Sequence, residues 1–174
     1  MSHTSILQFR TANCKNCYKC IRNCPVKAIR VTNQQAQIIE EQCILCEKCI
    51  AVCPQHAKVE HDDIPAIQRV IASGKKVIAS VHPAYLARYG WNSIGDLEKY
   101  LQKMGFWKAF DAAQGAAVMK EEYTRLLREQ QQKKLVVSSN CPVVVRLIET
   151  KYPHLTEYLA PVYSMKQMHA AYLR

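Results

Sequence analysis

Hydrophobic and polar positions divide the chain into two regions with different periodicities. In the first sixty residues the apolar positions form the short strand-like runs ILQF, AIRV and AQII, set among cysteine-rich loops. After Asp62 and Asp63, helical periodicity appears in DIPAIQRVIASG, SIGDLEKYLQKMG, EEYTRLLREQQQKK and PVVVRLIETKY. The runs KKVIASV, WKAFDAA and LVVSS between them predict strands. Strands that alternate with helices predict a parallel sheet with right-handed crossovers, so we expect an α/β domain at 63–174 after a separate first module at 1–62.

Capping residues support the predicted helix ends in the second region. Ser93 precedes SIGDLEKYLQKMG as an N-cap, and Gly74 and Gly105 stand where the residue after a helix belongs. Pro142 falls in the first turn of PVVVRLIETKY, where its missing N–H costs no hydrogen bond, and Pro153 ends that helix.

Two cysteine motifs repeat in the first region at a period of 29 residues. Residues 14–25 read CKNCYKCIRNCP and residues 43–54 read CILCEKCIAVCP, and both are C-x2-C-x2-C-x3-C-P. Three closely spaced cysteines can wrap three corners of an iron–sulfur cube, and the fourth, before proline, belongs to the other cluster. A zinc site is the alternative, but it favours paired C-x2-C ligands without the fourth cysteine and proline.

The motif predicts two 4Fe–4S clusters with crossed ligand sets. Loop amides are expected to hydrogen-bond the sulfurs and so influence the reduction potential. The predicted ligands are Cys14, Cys17, Cys20 and Cys53 for the first cluster, and Cys43, Cys46, Cys49 and Cys24 for the second.

Composition and charge narrow the function classes. Hydrophobic residues make up 49% of the chain, which is enough for a packed core, and no apolar run is long enough to cross a bilayer. The formal charge is +10, or about +6 once each four-thiolate cluster contributes about two negative charges. We therefore expect a cytoplasmic protein with an acidic redox partner. The basic residues form no long run with interleaved aromatics, which disfavours nucleic acid.

Cys141 is the ninth cysteine and lies far along the chain from the other eight. It follows the predicted strand LVVSS and precedes a predicted helix, and this edge of an open α/β sheet gathers ligands and catalytic groups. A helix N-terminus also favours an anionic ligand such as a thiolate. A free cysteine that packs as a small hydrophobe remains the alternative from position alone.

The sequence resembles two families in succession. Roughly residues 5–60 resemble the bacterial two-cluster ferredoxins, which implies a pseudo-twofold α+β fold and one-electron transfer. The stretches SVHPAY, LQKMGFWKAFDAAQGAAVMKEEYTRLL and VVSSNCPVVVRLIETKYPHLTEYLAPVYSMKQM resemble, in this order, the catalytic domain of the iron–iron hydrogenases. The most specific parts are the Cys-Pro turn before a helix ending in KxYP and the later S-x-x-QM.

The hydrogenase resemblance implies a candidate active-site cluster, a 4Fe–4S cube joined to a two-iron unit. Cys141 matches its first ligand, Pro83 and Ala84 match the loop lining the two-iron pocket, and Ser164 matches the serine of S-x-x-QM. The family's other three ligand cysteines lie further along its chain, beyond Arg174. We therefore expect either the front portion of a longer protein or a shortened relative, and an active-site cluster is doubtful in this chain.

Departures from the family fall on the implied proton relay. Asn140 stands where hydrogen-producing members have a proton-donating cysteine, and an amide does not exchange protons at useful energies. Glu122 matches one relay glutamate as a remnant, whereas Arg125 and Ala160 stand at two further relay positions. An arginine is permanently protonated and a methyl group carries no proton.

Three functions remain open from the sequence. The first is electron transfer or redox and hydrogen sensing on a hydrogenase-like scaffold with an impaired proton relay. The second is a true hydrogenase subunit whose remaining ligands lie in a longer chain or a partner. The third is an iron–sulfur cluster assembly factor.

Overall fold

A computed structural model describes residues 6–90, 93–129 and 135–174. The chain packs into two units, the first comprising the described residues up to Asp62 together with Pro142–Glu157, and the second comprising Asp63–Cys141 and Tyr158–Arg174. The division at 62/63 that the sequence suggests stays a prediction, and the helix after Cys141 belongs to the first unit.

In chain order, the elements are β1 (Leu7–Phe9), α1 (Lys19–Asn23), β2 (Ile29–Thr32), β3 (Gln35–Ile38), α2 (Lys48–Ala51), β4 (Lys58–Glu60), α3 (Ile64–Ala72), β5 (Ile78–Val81), α4 (Tyr85–Tyr89), α5 (Ile94–Lys103), β6 (Lys108–Asp111), α6 (Ala113–Glu129), α7 (Pro142–Lys151) and α8 (Met165–Tyr172), with 3-10 turns at Thr11–Asn13 and Pro153–Tyr158.

The first unit contains two antiparallel strand pairs. β1 pairs with β4, so that Phe9 lies opposite Lys58, and β2 pairs with β3 in a hairpin. Asn33 and Gln34 connect the hairpin with φ values of 50° and 57°, and two positive φ values are what a tight type I′ turn requires. Leu7 and Ile29 pack with buried cysteines and alanines to form the core. The predicted strands ILQF, AIRV and AQII are therefore confirmed.

The two cysteine loops have matching backbone conformations. Three pairs of residues separated by 29 positions adopt left-handed φ values between 48° and 58°, which L-residues rarely occupy. Each loop leads into a short helix, α1 or α2. The repeat in sequence is therefore also a repeat in backbone geometry. The pairs are Asn16 and Leu45, Tyr18 and Glu47, and Lys27 and His56.

The second unit contains a parallel strand pair flanked by helices. β5 and β6 run parallel, with Ile78 opposite Lys108, as the alternating pattern predicts. Ser93 caps α5, since its hydroxyl accepts a hydrogen bond from the Asp96 amide at 3.3 Å. Gly105 follows that helix with a φ of 95°. The observed architecture, an α+β module with a mixed α/β domain, has the predicted fold class.

Three parts of the second unit differ from the sequence predictions. LVVSS forms a single parallel bridge between Val137 and Leu159 rather than a strand, and two residues after Val137 the Ser139 amide donates to the Tyr123 hydroxyl instead of a neighbouring strand. The helices α4 and α8 are additional to the predicted elements. The helix predicted over EEYTRLLREQQQKK is α6 as far as Glu129, and residues 130–134, with Lys133 and Lys134, lie outside the described residues.

Candidate iron–sulfur and hydrogenase-like sites

Each predicted set of four cysteines lines one cavity of the first unit. The two cavities are similar in size, with empty volumes of about 350 and 320 Å³. The crossed arrangement brings the cysteine before each proline to the other motif's cavity. Cys14, Cys17, Cys20 and Cys53 line the first cavity, and Cys24, Cys43, Cys46 and Cys49 line the second.

Backbone amides point at the sulfur atoms in equivalent places. The Ala28 amide donates to Cys24 Sγ at 3.3 Å, and the Ala57 amide, 29 residues later, donates to Cys53 Sγ at the same distance. The Leu45 amide donates to Cys43 Sγ at 3.4 Å. Such donors stabilise negative charge on sulfur, which suits thiolate ligands of an iron–sulfur cube.

Burial makes several of these thiols poor acids without a bound cation. Burial raises the pKa of the Cys49 thiol to about 11, with neighbouring Cys43 adding to the effect, and it also raises the pKa of Cys20 and of Cys43. At Cys53 burial acts in the same direction, but backbone hydrogen bonds, led by that of Ala57, outweigh it and lower the pKa. Iron at the corners of a cube would supply the positive charge that four thiolates around one cavity need.

The thiols surround a volume rather than a point. In the described ranges, no three histidine, cysteine, aspartate or glutamate side chains converge as ligands of a single metal ion would. In a cube each thiolate binds its own iron at a separate corner. Four thiols spread around a cavity, with amides directed at sulfur, fit that donor set.

Two basic side chains of the first unit lie close to these cysteines. Lys58 lines the first cavity and is only 2% exposed, and burial lowers its pKa while nearby thiolates, led by Cys20, act to raise it. Arg146 of α7 donates from Nε to the Cys43 carbonyl oxygen and from Nη2 to the Glu40 carbonyl oxygen at 2.8 Å. Neither residue was singled out from the sequence.

Cys141 belongs to the second unit and is exposed. It immediately precedes Pro142, the first residue of α7, as the sequence predicts. A role for Cys141 as a metal ligand stays a prediction.

Asn140 and Ser164 meet at the N-terminus of α8. The Asn140 side-chain oxygen accepts a hydrogen bond from the Met165 amide at 3.0 Å. The Ser164 hydroxyl accepts from the Gln167 amide, and the Gln167 side chain accepts from the Ser164 amide at 2.9 Å, which forms a capping box. Both residues therefore satisfy backbone amides at the first turn of this helix.

A hydroxyl network that the sequence did not reveal holds the segment before Cys141. The Tyr123 hydroxyl on α6 lies 2.9 Å from Ser138 Oγ and accepts from the Ser139 amide at 3.0 Å. Burial raises the pKa of Tyr123, but the hydrogen bonds with Ser138 and Ser139 outweigh it, and the net shift is downward. The serines of SSNCP signalled only a local bond, and Ser138 Oγ does accept from the Asn140 amide at 3.3 Å, but nothing in the sequence pointed to Tyr123.

The other predicted site residues lie apart from this network. Pro83 and Ala84 form the turn after β5, where the Ala84 amide donates to His82 Nδ1 at 3.2 Å. Glu122 forms an ion pair with Arg125 at 2.6 Å on an exposed face of α6. Ala160 is buried, and its amide donates to the Val137 carbonyl oxygen at 2.9 Å.

One buried histidine in the second unit has an incomplete set of partners. His169 of α8 is fully buried, and its Nδ1 lies 2.7 Å from Ser80 Oγ of β5. Its Nε2 has no hydrogen-bond partner among the residues that the structure describes.

None of the helices within the described ranges has the length and apolar character required to cross a membrane.

Comparisons with known proteins divide the chain in the same order. Residues 13–57 match the 4Fe-4S dicluster domain, and residues 75–174 match the family described as iron only hydrogenase large subunit, C-terminal domain. One component of the ion-translocating oxidoreductase complex of Methanosarcina acetivorans is 50% identical over 44 residues, covering 25% of this chain and 17% of that protein.

Two further relatives extend beyond the cysteine motifs. The NADP-reducing hydrogenase subunit HndD of Solidesulfovibrio fructosivorans is 27% identical over 155 residues, covering 79% of this chain and 26% of that protein. The thiosulfate reductase electron transfer subunit PhsB of Salmonella typhi is 24% identical over 120 residues, covering 63% and 62%. The chain spans less than two thirds of the length of each of these three relatives. Since the hydrogenase match alone covers more than half of the chain, the protein belongs to the iron only hydrogenase large subunit, C-terminal domain family.

Proposed function

We propose that this chain holds two 4Fe–4S clusters in its first unit and transfers single electrons to or from a redox partner. The observation that supports the proposal is the lining of each cavity by four thiols contributed by both motifs. The clusters would supply one-electron redox chemistry at low potential. The protein's part is to hold the four thiolates, direct amides at sulfur and limit the access of water.

Cluster content and ligand identity are tested together. Anaerobically purified, reconstituted protein should contain about eight irons and eight sulfides per chain. Cys46→Ser should lose about half of this iron together with one electron paramagnetic resonance signal. Cys141→Ser is the matched control, and its iron content should equal that of the wild type. About four irons in the wild type, or loss of both signals in Cys46→Ser, would contradict two independent clusters.

We further propose that the second unit senses redox state or hydrogen rather than turning hydrogen over rapidly. Asn140 carries an amide in place of a titratable group, and its oxygen is engaged by the Met165 amide. Arg125 pairs with Glu122, and Ala160 offers only a buried methyl group. A proton relay requires groups that gain and lose protons at moderate cost, and positions 125, 140 and 160 lack such groups.

Hydrogen evolution from a reduced viologen separates sensing from catalysis. The wild-type protein, expressed from its complete gene, should evolve hydrogen far more slowly than family members with a complete proton relay that are assayed alongside it. Rates equal to theirs would support the alternative, a true hydrogenase subunit. The cluster-assembly alternative predicts transfer of intact clusters to an apoprotein, and retention of iron in the presence of an acceptor would argue against it.

The net charge, +10 for the chain and about +6 with both clusters bound, favours an acidic redox partner. Reduction of an acidic carrier should therefore slow as ionic strength rises. A rate that does not depend on salt would leave no role for charge in docking. A cytoplasmic location stays a prediction.

A further inference from the structure

The two cysteine cavities differ at one buried position that the repeat makes equivalent. Ile29 lies five residues after Cys24 and lines the second cavity, whereas Lys58 lies five residues after Cys53 and lines the first. Both side chains are buried, with 7% and 2% exposure. One cavity therefore contains an apolar side chain where the other contains an amine.

Lys58 is held in place by its neighbours. Its Nζ donates to the Ala36 carbonyl oxygen and lies 3.3 Å from the centroid of the Phe9 ring. A carbonyl oxygen and an aromatic face both favour a cation. The thiolates that act electrostatically on it are Cys20, Cys14, Cys49 and Cys53, three of which line the first cavity.

The other charged side chains that line the two cavities are exposed, whereas Arg146, which contacts the Cys43 carbonyl oxygen, is half-buried. Lys15 and Lys19 line the first cavity, and Glu47 and Lys48, of opposite sign, line the second. All four side chains are exposed, so water and salt screen them. A buried charge acts through a lower effective dielectric, so the buried Lys58, which lines the first cavity, is expected to act more strongly on its cluster than the half-buried Arg146 does on the second.

We propose that Lys58 gives the cluster held by Cys14, Cys17, Cys20 and Cys53 a higher one-electron reduction potential than the cluster held by the other four cysteines. Each cube accepts one electron as its core goes from the 2+ to the 1+ state, and that electron comes from a low-potential one-electron donor. Reduction adds one negative charge, which a buried ammonium stabilises. The cluster in the first cavity is then reduced first, so a single electron transferred to this unit resides mainly on that cluster.

The inference depends on the proposed cluster content, and an anaerobic redox titration with viologen mediators, followed by electron paramagnetic resonance, tests it. The wild type should show two distinct potentials. Lys58→Met should lower the higher one so that the one-electron reduction constant falls at least tenfold, or about 59 mV, and should change the lower one less. Lys19→Met removes an exposed charge from the same cavity and should shift either potential by less than this.

Two further sets of variants identify the cavity. Ile29→Lys should raise the lower potential, because it places an amine at the equivalent position. The effect of Lys58→Met should persist in Cys46→Ser, which keeps the first cluster, and shrink in Cys17→Ser, which keeps the second. Unchanged potentials in Lys58→Met, or a larger shift in the Cys17→Ser background, would overturn the inference.

The order of reduction does not depend on whether Lys58→Met folds. With Lys58 intact, the cluster that remains in Cys46→Ser should have a higher potential than the one that remains in Cys17→Ser, and the reverse order refutes the inference. An iron content far below eight per chain in the wild type would instead contradict the proposed function itself.

Discussion

Gly115 is the position where α6 approaches α8 too closely for a side chain. A Cβ atom at Gly115 would lie 2.5 Å from the Met165 carbonyl oxygen and 2.6 Å from His169 Cβ. Because backbone does not move aside as a flexible side chain does, Gly115→Ala requires α8 to shift by roughly 1 Å to restore ordinary contact. The substitution therefore perturbs the helix whose first turn Asn140 and Ser164 cap.

The expected cost follows from two opposing terms. Overpacking of this kind destabilises by about 1–3 kcal/mol, while replacing glycine by alanine in a helix contributes at most about 1 kcal/mol in the other direction. We therefore expect Gly115→Ala to lower the free energy of unfolding by about 1–2 kcal/mol. Gly95 of α5 is the matched control, since a Cβ there would meet only Ser93 Oγ at 3.6 Å. Gly95→Ala should stabilise by up to about 1 kcal/mol.

Urea unfolding followed by tryptophan fluorescence is the appropriate assay. Trp107 belongs to the second unit and so reports on its unfolding. A Gly115→Ala variant as stable as Gly95→Ala would refute the close approach of α6 to α8. A loss of stability in both variants would show that the reasoning from Cβ distances is wrong.

Two further substitutions test single contacts, one in each unit. Ser80→Ala removes the only hydrogen-bond partner found for the buried His169 ring within the described residues, so it should lower the free energy of unfolding by about 1–3 kcal/mol in the same urea assay. Ser80→Thr keeps the hydroxyl and should lower this free energy by less. Equal losses in the two variants would show that the hydrogen bond does not contribute to stability. Arg146→Met keeps the apolar stem but removes the hydrogen bonds to the Cys43 and Glu40 carbonyl oxygens, so it should destabilise the first unit by about 1.5–3 kcal/mol and speed iron loss to a chelator. Iron loss at the wild-type rate would show that these bonds do not secure the second cavity.

The spacing of the cysteines was enough to predict which thiols share a cavity. A C-x2-C-x2-C-x3-C-P loop fixes its own geometry locally, and the repeat determines the crossing of the fourth cysteine. The caps at Ser93 and Gly105 were predictable for the same reason, since each depends on neighbouring residues alone.

Contacts between distant segments were not predictable from one sequence. Tyr123 meets Ser138 and Ser139 only because α6 packs beside the segment before Cys141, and Asn140 caps a helix that begins 25 residues later. The burial of Lys58 could have been predicted from the sequence, however. Comparison of the two repeats at an offset of 29 residues places it opposite Ile29, an apolar core position.

The left-handed residues of the two cysteine loops link the stability of the first unit to iron supply. Six non-glycine residues hold this conformation, and at roughly 1 kcal/mol or more each their strain approaches the whole stability of an ordinary domain. The proposed clusters would help to offset that strain, so we expect the loops to be less stable once the clusters are lost. We therefore expect iron loss and unfolding of this unit to be one cooperative event, and the folded population of the protein to track the iron and sulfide available to it.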